Sequence, residues 1–98
     1  MAKELKLKIK DTELPKWFKG VTYKDGDLVT NPFTGNQAIL TPNELAVYDF
    51  IKGAEYTISV QFNDDILHPT VAKISNNMRK GLDWFRQENP KAYMILLD

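Results

Sequence analysis

The sequence predicts an α+β fold: a small antiparallel sheet or meander from the N-terminal part, packed on two main helices at residues 41–53 and 69–88. Three observations predict it. A complete helix-start signal stands at Thr41, an apolar stripe at three- and four-residue spacing runs from Val71 to Phe85, and short alternating runs broken by turn formers precede both. The 98 residues, 43% of them apolar, suit a single domain over residues 1–98.

Leu5, Leu7 and Ile9 alternate with Lys6, Lys8 and Lys10. That period of two is the pattern of a strand with one buried and one wet face. Lysines on the wet face also discourage edge-to-edge pairing. Pro15 breaks regularity before Trp17 and Phe18. Asp25-Gly26 is a two-residue turn signal and predicts a short hairpin between Val21/Tyr23 and Leu28/Val29. Asn31 to Asn36 is dense in turn formers, with Phe33 at its tip as a core plug or an exposed anchor. Gln37 to Leu40 then forms another short strand leading into the first helix.

Thr41 offers its hydroxyl as an N-cap, Pro42 suits the first helical position, and Glu44 completes a capping box. Lys52 and Gly53 mark the helix end. Leu45, Val47, Tyr48, Phe50 and Ile51 cover more than half of the circumference, which places this helix at the centre of the domain. Tyr56, Ile58, Val60 and Phe62 alternate with Thr57, Ser59 and Gln61, the pattern of a half-buried strand that Asn63-Asp64-Asp65 ends. Pro69 opens the second helix, whose stripe is Val71, Ile74, Met78, Leu82 and Phe85, with Gly81 beside it for close approach. Pro90 ends or kinks it. The apolar tail Tyr93 to Leu97 docks as a last helical turn or as a strand.

The chemistry is sparse. No cysteine is present, which removes disulfides and thiolate sites together. No run approaches the roughly 18 apolar residues of a membrane span, and Met1 to Lys6 has no apolar signal core. His68 is the single histidine; with Asp64 and Asp65 it matches no strong metal spacing. No phosphate-binding loop or nucleophile elbow occurs, and Ser59 or Ser75 with His68 does not suggest a triad. The expectation is therefore a non-catalytic chain with no cofactor and no metal, cytoplasmic in location.

Two features suit binding. Lys80, Trp84 and Arg86 lie along one edge of the second helix, and tryptophan and arginine are the types most enriched at interface hot spots. With Phe33 they are the candidate contacts to a protein partner or to a second copy. The other feature is charge. The net charge is zero, yet seven of 13 basic residues and three of 13 acidic ones fall within residues 1–24. Lysines contact phosphates and aromatics stack on unpaired bases. Lys6, Lys8, Lys10, Lys16, Trp17 and Lys19 are thus the alternative, nucleic-acid-binding set; a solvated face paired within the domain is the plainer explanation.

Three stretches carry a resemblance: Asn31-Pro32-Phe33-Thr34-Gly35, Leu40 to Glu44 with Val47 to Gly53, and Gly81 to Arg86 with Tyr93-Met94 and Leu96 to Asp98. They resemble small uncharacterised proteins of marine phages, particularly those infecting cyanobacteria. The resemblance implies a phage accessory or virion-associated protein, acting in the bacterial host cytoplasm or in the particle. It implies no activity.

Overall fold

The computed structural model describes residue 11 and residues 13–97. The strand expected over Leu5 to Lys10, with Lys6, Lys8 and Lys10 of the nucleic-acid set, lies outside the described residues. The fold is α+β. Strands β1 (Asp27–Thr30) and β2 (Gln37–Leu40) form an antiparallel pair. Helix α1 (Pro42–Tyr56) runs into a π-helical turn (Thr57–Gln61), followed by α2 (Pro69–Glu88) and α3 (Pro90–Leu96).

The start of α1 is built as its sequence dictates. Glu44 N–H donates to Thr41 Oγ1 at 3.2 Å, and Thr41 N–H donates back to Glu44 Oε1 at 3.0 Å. Asn43 N–H donates to Asp11 Oδ2 at 2.9 Å, and Pro42 has no N–H to satisfy. The donors that a helix leaves open at its first turn are therefore engaged.

Val47, Ile51 and Phe85 are fully buried, with Leu40 and Val71 nearly so. Leu40, Val47, Ile51 and Phe85 belong with Tyr48, Ala92 and Leu96 to one cluster that joins β2, α1, α2 and α3. The expected central position of α1 holds: it packs against α2 and against β2. Gly81 permits the approach of α2, since a Cβ there would stand 3.1 Å from Ile51 Cγ1 and 3.6 Å from Phe50 Cδ2. Residues 69–88 form α2 as the sequence predicts, and the apolar tail takes the helical one of its two options.

Two expectations fail. The hairpin is not the one that Asp25-Gly26 suggested. β1 pairs with β2 in the register Asp27↔Leu40, Leu28↔Ile39, Val29↔Ala38 and Thr30↔Gln37, so the connection is Asn31 to Asn36. That loop is locked by its own side chains. Phe33 N–H donates to Asn31 Oδ1 at 2.9 Å, Gly35 takes φ +79°, and Asn31 Nδ2 reaches Ile95 O at 2.9 Å in α3. Glycine at position 26 serves proximity instead, because a Cβ there would lie 2.0 Å from Leu40 O.

The strand expected over Tyr56 to Phe62 is absent, and α1 does not stop at Gly53. Ala54, three residues after Ile51, is buried on the same face and draws the helix onward. The alternating apolar residues then have no strand to pair with; Tyr56 and Val60 are exposed. The turn closes where Asp64 N–H donates to Ile58 O at 2.9 Å, with Asn63 and Asp64 at positive φ. Asparagine and aspartate are the side-chain-bearing residues that enter this region most readily.

Candidate protein-binding surface

The hairpin has two unlike faces. Val29 and Ala38 pack against the core cluster, while their neighbours Leu28 and Ile39 form a cross-strand pair turned to solvent, 50% and 77% exposed. Gln37 Nε2 donates to Thr30 Oγ1 at 3.1 Å on that same outer face. Phe33 stands at the loop tip, 92% exposed, and so is an anchor rather than a core plug. Opposite-facing alternation on a strand pair over a single core leaves such a row in water unless something covers it.

Beside the hairpin lies an open groove between β1 and α1. Residues Tyr23 to Thr30 form one wall and Leu45, Tyr48 and Asp49 the other. Among the described residues Asp25, Asp27 and Asp49 line it against a single cation, Lys24. Tyr23 OH donates to Asp49 Oδ2 and ties the wall to α1. That hydrogen bond, then lost water contact and the carboxylate charge, hold the Tyr23 phenol above its ordinary 10.0. A group whose folded value is raised contributes its stability below the unfolded value and loses it as pH rises through the folded one. Spectrophotometric titration is accordingly expected to show Tyr23 ionising at lower pH in Asp49→Ala than in the wild type. Unchanged titration in that variant would count against the contact.

The helical edge expected to meet a partner is partly committed to the protein itself. Lys80 is exposed on α2. Trp84 is half-buried and packs on the margin of the core cluster. Arg86 Nη2 pairs with Asp83 Oδ1 at 3.2 Å, and its guanidinium carbon lies 5.9 Å from the Tyr93 ring centroid. Of the nucleic-acid set, Lys16 and Lys19 are exposed, but Trp17 is half-buried. Its ring centroid is 5.9 Å from that of Phe50 and 6.2 Å from that of Phe18, so the aromatics fasten this segment to α1.

His68 caps α2: its Nδ1 accepts Thr70 N–H at 3.1 Å, and its ring lies 4.8 Å from that of Phe62. Asp65 Oδ1 accepts Leu67 N–H at 3.1 Å in the lead-in to that helix. Among the described residues no group of three or more histidines and carboxylates gathers as a metal site, and no helix is long and apolar enough to cross a membrane.

The outward Leu28–Ile39 pair and the acidic groove were not singled out from sequence. The loop Asn31 to Asn36 held the signal for the first, since accepting it as the hairpin turn fixes the pairing. Nothing local signals the second, because Tyr23 and Asp49 meet across 26 residues. Compared with family models, curated proteins and solved structures, the chain matches none.

Proposed function

We propose that the chain is a small non-catalytic binding module that contacts a protein partner, an accessory protein of phage kind working in the host cytoplasm or in the virion. The observation that carries the reading is the solvent-facing Leu28–Ile39 pair with Phe33 at the hairpin tip. Clustered exposed apolar side chains on an ordered element mark contact surfaces more often than they mark idle ones. Lys80, Trp84 and Arg86 form a second candidate contact on α2. The employment of His68 as a helix cap supports the non-catalytic part of the reading.

The test is affinity capture from a bacterial lysate with the wild type, with Ile39→Lys/Phe33→Ser and with Trp84→Ala, each with and without nuclease treatment. A protein retained by the wild type and lost by the hairpin variant, at an unchanged melting temperature, is the expected result. Equal retention by the hairpin variant overturns the role of that face. Capture that nuclease abolishes overturns the protein-partner reading in favour of the lysine-rich N-terminal part.

A further inference from the structure

Between Gly53 and Asp65 the local preferences of the sequence and the observed structure disagree repeatedly. Gly53 carries a helix-end signal, yet α1 passes through it to Tyr56. A Cβ at Gly53 would meet nothing within 4 Å, and its φ is not positive, so neither packing nor backbone geometry calls for glycine there. Tyr56, Ile58, Val60 and Phe62 alternate with polar residues as a strand does, yet Thr57–Gln61 is a π-helical turn without a buried residue. Such turns are rare and frequent at functional sites. Asn63 and Asp64 then stand side by side at φ +49° and +58°, a region that residues with side chains enter at a cost. Conflicts of this kind mark strained or functional segments.

Little holds the segment in place. Between Ile51 and Val71 the only buried residue is Ala54, whose side chain is a single methyl. The core cluster and the side chains packed on it include no residue between Ile51 and Met78. Backbone bonds close the segment at both ends: Thr57 N–H donates to Gly53 O and Ala54 O, and Asp64 N–H donates to Ile58 O at 2.9 Å.

We propose that Gly53 to Asp65 is a conformational switch, which opens by unwinding as one unit from Gly53 while the core joining β2, α1, α2 and α3 stays folded. Gly53 is the hinge, because glycine has the widest choice of backbone conformations once the helix lets go. In the closed form Gly53, Ala54 and Thr57 wall a groove with Ile74 and Asn77 of α2. Opening withdraws that wall and widens the groove over Ile74. It also frees Tyr56, Ile58, Val60 and Phe62 for the extended arrangement that their alternation suits. The switch does not depend on the partner proposed above.

The experiment is amide hydrogen exchange on the full chain, followed residue by residue at several low denaturant concentrations. The Thr57 and Asp64 amides are expected to exchange at least about tenfold faster than those of Val47 and Ile51, with a smaller denaturant slope, since local opening exposes less surface than global unfolding. Gly53→Ala places a methyl in open space and restricts the hinge, so it is expected to slow both amides by the same factor, about two- to fivefold. Ala54→Gly removes the buried methyl and adds a second flexible position, and is expected to speed both by about tenfold. Thr57 and Asp64 amides as slow as those of Val47 and Ile51 overturn the proposal, as does fast exchange that neither variant changes. Unequal responses of the two amides also overturn it, since the two ends would then fray separately.

Discussion

Phe85→Ala is expected to destabilise the protein by about 3–5 kcal/mol, the usual range for a fully buried phenylalanine. The Phe85 side chain is wholly excluded from water. It belongs to one cluster with Leu40 of β2, Val47, Tyr48 and Ile51 of α1, and Ala92 and Leu96 of α3. Its ring centroid stands 6.4 Å from that of Tyr48 at an interplanar angle of 50°. Truncation therefore opens a cavity shared by four elements, and none can close it without leaving the others. For a domain of this size, each kcal/mol corresponds to about 4–8 °C of melting temperature. Thermal and denaturant melts measure the loss. Trp84→Ala, one position earlier and half-buried, is expected to cost clearly less. Equal losses would mean that Trp84 is core and remove it from the contact surface. A melting temperature for Phe85→Ala within about 2 °C of the wild type would contradict the packing scheme.

Residues were legible where their signal was local and punctuated at both ends. Helix α2 is bounded by Pro69 and by Asn89-Pro90, and its stripe repeats without interruption. Thr41, Pro42 and Glu44 announce the start of α1 by a mechanism complete within four residues. The end of α1 was misread because Gly53 satisfies a local rule for helix termination while Ala54 satisfies a tertiary one. Burial of Ala54 on the Ile51 face decided the outcome. Tyr56 to Phe62 is the complementary case: alternation makes a strand only where a partner edge exists, and α1 carries this stretch away from the hairpin. The two turn signals competed for one strand, β1. The loop anchored by Asn31 to α3 prevailed over Asp25-Gly26, whose glycine answers a steric demand from Leu40. The candidate surface is legible only after these contests are settled. Leu28 faces Ile39 by virtue of register, and Asp49 joins Asp25 and Asp27 by virtue of how α1 lies beside β1.

The carboxylate of Glu44 is where the largest polar effect is expected. It is 6% exposed, and its Oε1 accepts two hydrogen bonds from different parts of the chain. One comes from Thr41 N–H at 3.0 Å, the return half of the capping box. The other comes from Asn89 Nδ2 at 3.2 Å, at the junction of α2 and α3. Asn89 in turn caps α3, its Oδ1 accepting Ala92 N–H at 3.1 Å. One acceptor thus fixes the start of α1 against the start of α3. Glu44→Ala removes it and leaves two donors unpaired in a poorly hydrated place. Each such donor costs about 1–3 kcal/mol, so a total loss on the order of 2–6 kcal/mol is expected. Glu44→Gln keeps an oxygen in the same position and should recover most of that loss. Asn89→Ala tests the connection independently. If the two residues act through their shared bond, the double variant loses less than the two single losses combined, with a coupling of about 0.5–3 kcal/mol. Strict additivity in denaturant melts would show that the capping box and the α2–α3 junction are separate devices. Faster exchange of the Ala92 amide in Glu44→Ala would show that the disturbance has travelled through Asn89 into α3.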